Sequence, residues 1–323
     1  MIFPVTHSVL STHALQKIIQ QQYHISPVQQ LNYFQAGLND TYLIITSKQK
    51  YILRAYRTGW RSESDIHYEI DALNFLLQNN IPVSTAINRR DGGSITKINA
   101  PEGLRYLVLF HYIAGEPPTY KNNYKEEASA YGQIFGKMHR VLKKFSSSHT
   151  RFELNLNYLL NKPLQSIRPF LSCRPSDEDF LMSFAETLIH NYQQLTSKNL
   201  QKGFCHGDLN TANVHINKGK IGLFDFDCCG YGYYAADIAA FRWGARIEGN
   251  EKKIWPPFLT AYQNENPLNE ADLDAVKIFV CMRHIWHIGL HIQLSDDRGR
   301  HWLNDSYFDQ QIELLKNWQA GNY

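Results

Sequence analysis

The spacing of apolar residues changes character part-way along the chain. Near the start, Leu15, Ile18 and Ile19 share one face of a predicted helix over residues 12–22, with Ser11 as its N-cap. Three runs of strand-like composition follow at 28–34, 41–46 and 51–56. The connections QAGLND and SKQK are short enough for hairpins, so these strands are expected to pair antiparallel. Ile66, Ile70, Leu73, Leu76 and Leu77 give residues 64–79 a helical apolar face, and Asn79-Asn80-Ile81-Pro82 ends it. Two further strands fit 94–98 and 104–110, the first after the turn Asp91-Gly92-Gly93.

Residues 111–119 contain Gly115, Pro117 and Pro118 and read as a hinge. Beyond it the period becomes mainly helical. A long helix is predicted over 125–145 from Tyr131, Ile134, Phe135, Met138 and Leu142, and the run 146–149 ends it. Another helix fits 177–195. Short apolar runs at 214–216 and 221–224 flank a Lys-Gly-Lys turn, and the chain from Ala235 onward is helical and rich in aromatics. The expected fold class is α+β. Residues 1–110 form a lobe with a five-stranded antiparallel sheet and a helix, 111–119 the hinge, and 120–323 a mainly helical lobe.

At 323 residues the chain is long enough for two such lobes. A net charge of only +3 argues against a dedicated nucleic-acid binder, whose affinity needs a strong basic excess. No apolar run is long enough for a transmembrane helix, and the N-terminus does not read as a signal peptide. Five cysteines without a C-x-x-C pair suggest reduced thiols and a cytoplasmic location. Cys228 and Cys229 are adjacent and read as small turn residues rather than a redox pair. Oligomeric state is not legible.

The candidate chemistry is concentrated in FCHGDLNTANVHINKGKIGLFDFD, residues 204–227. Asp208 comes two residues after His206, Asn213 comes five after Asp208, and Asp225 ends a short apolar run. Two short loops at the ends of neighbouring strands would bring these side chains together. Asp and Asn also cap turns and helices in many proteins, but their joint spacing here favours a shared chemical task.

This order resembles the catalytic segment of protein kinases. With the lobe order, it is similar to the aminoglycoside phosphotransferase and choline kinase family, a branch of the protein-kinase-like fold, and specifically to its homoserine-kinase-like subgroup. The resemblance spans nearly the whole chain, and HGDLNTAN followed by LFDFD is its specific part. It implies transfer of the γ-phosphate of ATP, with Mg²⁺, to a hydroxyl of a small molecule: an amino alcohol, a hydroxy amino acid or a sugar-like acceptor. Asp208 then corresponds to the catalytic base, and Asn213 and Asp225 to the metal ligands, whose oxygens suit Mg²⁺. In YILRAY, Arg54 stands where kinases hold a phosphate-binding lysine, and Glu69 stands where its partner glutamate lies. Gly37 and Asn39 belong to a loop expected over the phosphates, though it is not a G-x-G-x-x-G. Backbone at Phe110, His111, Tyr112 and Ile113 is expected to meet adenine. His206 is expected to hold the loop rather than react, Asp227 to assist the metal or brace the loop, and Asp237 to cap a helix or anchor the loop.

Two departures are visible. Arg54 replaces lysine, and Asn210-Thr211-Ala212 stands where relatives often carry His-x-Gly, which bears on the acceptor pocket. No A-P-E segment follows Asp225, which lowers a eukaryotic-type protein kinase. Transfer to protein Ser/Thr, as in bacterial stress kinases, and a nucleotide-binding pseudokinase are the alternatives. His284, His287 and His291 lie on one helical face at spacings of three and four. Zinc binding by this face is not favoured; Arg283, His287 and nearby Trp286 are expected to line or support the acceptor pocket, or to pack the helical lobe.

Overall fold

A computed structural model describes residues 3–321. The chain divides into two compact units. The first holds the residues up to Gly115, together with 146–150 and 215–224, and the second holds the rest.

The first unit is built on an antiparallel sheet of five strands: β1 (Val28–Ala36), β2 (Asp40–Thr46), β3 (Lys50–Ala55), β4 (Thr96–Ala100) and β5 (Gly103–His111). Their order is β1-β2-β3-β5-β4. Helix α1 (Thr12–Gln22) starts at Ser11, whose side chain accepts from the N–H of Ala14. It buries Leu15 and Ile19 against Tyr42, Ile44, Leu53 and Leu109 of the sheet. Helix α2 (Glu63–Gln78) is fixed by a capping box between Ser62 and Asp65 and buries Ile66, Glu69, Ile70, Leu73 and Leu76. Residues 146–150 lie along α2. Ser147 donates to Asp71 at 2.5 Å, Ser64 donates to the carbonyl of Thr150 at 2.9 Å, and the rings of His67 and His149 stack at 4.7 Å. The hairpin of β8 (Val214–Asn217) and β9 (Lys220–Leu223) reaches the same unit through a bridge between Val83 and Leu223.

Arg105 in β5 is fully buried and holds the end of this sheet together. It pairs with Asp40 at 2.7 Å and donates to the carbonyls of Tyr56, Ala55 and Ser8 at 2.8–3.0 Å. Glu102 lies 3.4 Å away. A buried guanidinium is tolerable only when its donors are met in this way.

The second unit contains α3 (Tyr124–Leu142), α4 (Lys162–Ile167), α5 (Pro175–Thr196), α6 (Tyr234–Ile247), α7 (Glu251–Glu265), α8 (Glu270–Arg298) and α9 (Asp305–Gln319). Helices α3 and α7 pack very closely. A Cβ on Gly132 would stand 2.0 Å from the carbonyl oxygen of Phe258, and one on Gly136 would stand 2.5 Å from that of Tyr262. A small sheet of β6 (Glu153–Leu154), β10 (Gly230–Tyr233) and β7 (Lys202–Cys205) carries the acidic segment. Strand β10 runs antiparallel to β7 and parallel to β6.

The antiparallel five-stranded sheet and the helical remainder agree with the expected fold class. The predicted helices and strands recur with ends shifted by a few residues: α3 stops at Leu142 rather than 145, and β4 spans 96–100 rather than 94–98. Strands β6, β7 and β10 were not foreseen. They have two to four residues each, and KGFC and GYGY are too short and glycine-rich to show a period.

Replacing Arg105 with Met leaves Asp40 buried without its cation. The expected cost is about 3–5 kcal/mol, read by urea unfolding. A loss under about 1 kcal/mol would show that the Arg105 network contributes little.

Candidate active site

The acidic segment is shaped from beneath by Asp237 in the first turn of α6. Its carboxylate is buried and accepts the peptide N–H groups of His206 at 2.6 Å and Gly207 at 2.8 Å. It also pairs with Nε2 of His139 at 2.9 Å, and the other nitrogen of that ring meets the hydroxyl of Tyr262 at 2.6 Å. Burial pushes the Asp237 carboxyl up. The His139 hydrogen bond and charge, the charge of His206 and the His206 N–H outweigh that, so the net shift is below the usual range. Gly207 has φ +79°, and a Cβ there would sit 2.0 Å from the carbonyl oxygen of Cys228, so the turn admits only glycine. The ring of His206 is fully buried, packs at 4.3 Å on Phe226 and accepts from the N–H of Asp208 at 3.3 Å. The anchoring alternative expected for Asp237 is the one seen: it lies inside α6 and is not its N-cap.

Asp208 emerges from this support with its carboxylate partly exposed. One oxygen accepts Nδ2 of Asn213 at 3.0 Å, and the other accepts Nδ2 of Asn210 at 2.9 Å and an N–H of Arg283. Asn213 also donates to the Asp208 carbonyl at 2.8 Å, so its amide nitrogen is committed to Asp208 and its amide oxygen is left for another partner. Asp225 has φ 62° and ψ 59°. That left-handed conformation is strained for a residue with a Cβ, and such strain concentrates where a side chain must be aimed. The turn after it is tied down by Arg151, which donates to the carbonyls of Asp227 and Cys229. Asp208, Asn213 and Asp225 all belong to the second unit.

In the first unit, Arg54 and Glu69 meet as a buried pair at 2.7 Å. Tyr56, which sequence reasoning passed over, receives an Arg54 N–H at 3.2 Å and donates to Glu69 at 3.0 Å. The Arg54 guanidinium also lies 4.8 Å from the Phe110 ring centre. In the loop after β1, the N–H of Gly37 donates to the Asn39 carbonyl at 3.0 Å, and Asn39 accepts the N–H of Arg57 at 3.3 Å. Arg57 reaches back to the carbonyl of Leu38 at 3.3 Å, a brace not singled out from the sequence. At the end of β5, the N–H of His111 is taken by Thr85 and its carbonyl accepts from Ser84, while the carbonyl of Ile113 meets the ring of His215 at 2.6 Å. Tyr112 lies over the same His215 ring at 6.2 Å.

The phosphotransferase enzyme family, APH, matches residues 34–269. An uncharacterized protein of Deinococcus radiodurans is 33% identical, over 98% of this chain and 92% of its own. The chain belongs to the APH phosphotransferase family. Among solved structures, amicoumacin kinase hAmiN, in complex with AMP-PNP, Ca²⁺ and Ami, superposes with a TM-score of 0.80 at 24% identity, covering 97% of this chain and 94% of its own. A microcompartment-associated aminopropanol kinase gives 0.76 at 19% identity, over 97% and 98%. These likenesses confirm the fold.

APH-family kinases use ATP with a divalent metal. The residues here suit such an ion: Asn213 keeps its amide oxygen and Asp225 brings a carboxylate, the hard oxygen donors that Mg²⁺ and Ca²⁺ prefer. Among the described residues, one further group of potential ligands converges: His139, Cys205 and Asp237. Both nitrogens of His139 already have partners, and burial raises the Cys205 thiol, so this group acts as a hydrogen-bonded brace.

The three histidines of α8 turn out to be packing groups. Trp243 donates to Nδ1 of His284 at 3.1 Å, His287 and His291 lie 3.9 Å apart, and His291 meets the hydroxyl of Tyr307 at 3.1 Å. Burial lowers all three, His284 to about 4 and His287 to about 2. They are therefore neutral near pH 7.

Two outcomes follow from these buried groups. As pH falls below about 6.5, the unfolded chain protonates at His284 and His287 while the folded chain does not. Stability should drop by about 1.4 kcal/mol per pH unit for each group, down to about pH 4 for His284 and further for His287. Denaturant unfolding between pH 7 and 4.5 reads this, and His287→Gln should make the slope shallower; an unchanged slope would contradict the burial account. For Asp237→Asn, the expected loss at pH 7 is about 3–5 kcal/mol. That deficit should begin to shrink below about pH 3.9, where the unfolded chain's carboxyl takes up a proton, and the contribution of the depressed pKa is gone only below the folded carboxyl's own, lower pKa.

Proposed function

We propose that this protein transfers the γ-phosphate of Mg-ATP to a hydroxyl of a small molecule, with Asp208 as the base. The observation that carries the proposal is the Asp208 carboxylate. It is partly exposed and held by Asn210, Asn213 and Arg283 on a loop that Asp237 fixes. A carboxylate so placed orients an incoming hydroxyl and takes its proton as the oxygen attacks phosphorus. The new bond joins the acceptor oxygen to the γ-phosphorus, the bond from that phosphorus to the β,γ-bridging oxygen breaks, and ADP leaves. Asn213 and Asp225 would hold a divalent ion, Mg²⁺ in this reading, which neutralises phosphate charge when bound.

In the first unit, Arg54 supplies the cation for the α- and β-phosphates, and the pair with Glu69 sets its position. Its planar fork suits phosphate, so the change from lysine retains the task. Gly37 and Asn39 shape the phosphate loop, and backbone at 110–113 is the proposed adenine contact. The bonds to Thr85, Ser84 and His215 stiffen that backbone and restrict which of its groups can serve. Candidate acceptors are an amino alcohol, a hydroxy amino acid or a sugar-like alcohol. The homoserine-kinase-like subgroup remains part of this proposal, as do the lobe boundaries at 110 and 120.

Asp208→Asn should lower transfer by about 10²–10⁴-fold while leaving ATP binding nearly unchanged. Acceptor-dependent release of ADP from pooled hydroxyl compounds, with nucleotide affinity measured beside it, tests this. Near-normal turnover in the variant would remove Asp208 from the chemistry. Phosphate appearing on added proteins instead would favour a protein kinase.

A further inference from the structure

Beside Asp208 stands a positive charge that holds the base and has donors to which the proposed reaction gives no partner. Arg283, from the middle of α8, donates one terminal N–H to the Asp208 carboxylate and another to the Gly207 carbonyl at 3.0 Å. Its guanidinium lies 4.2 Å from the Trp286 ring centre and 5.5 Å from that of Trp243. Stacking between indoles makes it a fixed cation rather than a swinging arm. The residue is only 8% exposed, and its Nε–H has no hydrogen-bond partner.

Asp208 carries one negative charge, Arg283 one positive charge, and Asn210 and Asn213 none; Asp237, sealed beneath the same loop, is paired with His139, and the Asp225 carboxylate is assigned above to the divalent ion. His284, His287 and His291, on the same helix as Arg283, are neutral near pH 7. Another carboxylate bonded to the loop is that of Glu248, which is exposed and accepts from Thr211 at 3.2 Å. An ammonium beside the base would therefore meet a carboxylate already neutralised and a guanidinium of its own sign. A carboxylate there would meet unused N–H groups on a rigid cation.

We propose that the hydroxyl acceptor carries a carboxylate, which docks on the Arg283 guanidinium beside Asp208. This rests on the phosphotransferase reading and narrows its acceptor from the three classes above to hydroxy carboxylates, hydroxy amino acids included. The cavity lined by Gly207, Met282 and Arg283 has a volume of about 20 Å³, enough for one water and too small for a carboxylate. Each terminal nitrogen donates one hydrogen bond, to Gly207 or to Asp208, and keeps a second hydrogen, so the acceptor's carboxylate is to be met by those groups.

The test measures binding and transfer separately. Homoserine, serine, glycerate and gluconate are titrated calorimetrically into the protein loaded with Mg²⁺ and a non-hydrolysable ATP analogue. The primary amides of the same four compounds, ethanolamine, choline and glucose are run beside them. At least one hydroxy carboxylate should bind, and its amide should bind about 30-fold or more weakly. In Arg283→Gln the acid and its amide should become equivalent, with ATP affinity and thermal unfolding reporting that the variant is folded. Should that variant fail to fold, the acid-to-amide comparison in the wild type still decides. Equal or tighter binding of amides, ethanolamine or choline would overturn the proposal, as would binding by none of the acids. Transfer to ethanolamine that vanishes in Asp208→Asn would sink the carboxylate assignment and leave the phosphotransferase reading standing. An acid that binds through Arg283 but accepts no phosphate would overturn the acceptor assignment, because the docked carboxylate would not belong to a hydroxyl acceptor.

Discussion

A carboxylate taken wholly out of water is held only if hydrogen-bond donors replace the solvent. Asp237 finds those donors in the peptide groups of His206 and Gly207 and in the ring of His139. The rest of the second unit's chemistry hangs on this arrangement. It joins the end of β7 to α6, and through His139 and Tyr262 to α3 and α7. The glycines at 132 and 136 let α3 and α7 approach closely enough for that chain of bonds to close. Asp237 thus fixes the backbone from which Asp208 projects without needing to touch any reactant.

Asp237 and Asp208 are chemically identical and do opposite work because of their surroundings. The first is sealed away and spends its oxygens on backbone donors. The second keeps part of its carboxylate in solvent and is bounded by the side chains of Asn210, Asn213 and Arg283. Position along the chain does not assign these roles; solvent access and donor type do. Asp225 adds a third case, in which a left-handed backbone sets where the carboxylate points.

Much of this was legible in the sequence because it rests on local rules. Hairpin-length connections, a 3.6-residue period and helix stops located the five-stranded sheet and the long helices, and HGDLNTAN with LFDFD located the acidic loops. What escaped depends on contacts distant in sequence. Tyr56 bridges Arg54 and Glu69, but a tyrosine in a strand has no pattern that marks it as a bridge. Arg105 is a charged residue on the strand face of Leu107 and Leu109, and it is fully buried because Asp40 and three carbonyls receive it. Arg283 was expected to line or support the acceptor pocket or to pack the helical lobe, but its partner was not legible. That it meets Asp208, 75 residues earlier, is a fact of tertiary packing.

Arg54 and Arg283 show one physical solution used twice. Each guanidinium is placed over an aromatic ring, Phe110 or Trp286, and tied to one carboxylate, Glu69 or Asp208. A planar cation can stack through its face and still donate through its edge, whereas an ammonium on a flexible stem cannot divide its contacts in this way. Stacking removes the rotational freedom that a ligand would otherwise have to freeze on binding, and the carboxylate sets the direction of the remaining N–H groups. The two differ in what the partner carboxylate is left to do. Glu69 is buried and can only hold its arginine, whereas Asp208 is partly exposed and, in the proposed reaction, would share its arginine with the acceptor. The same pair of residue types is therefore sealed from solvent in one unit and partly open to it in the other.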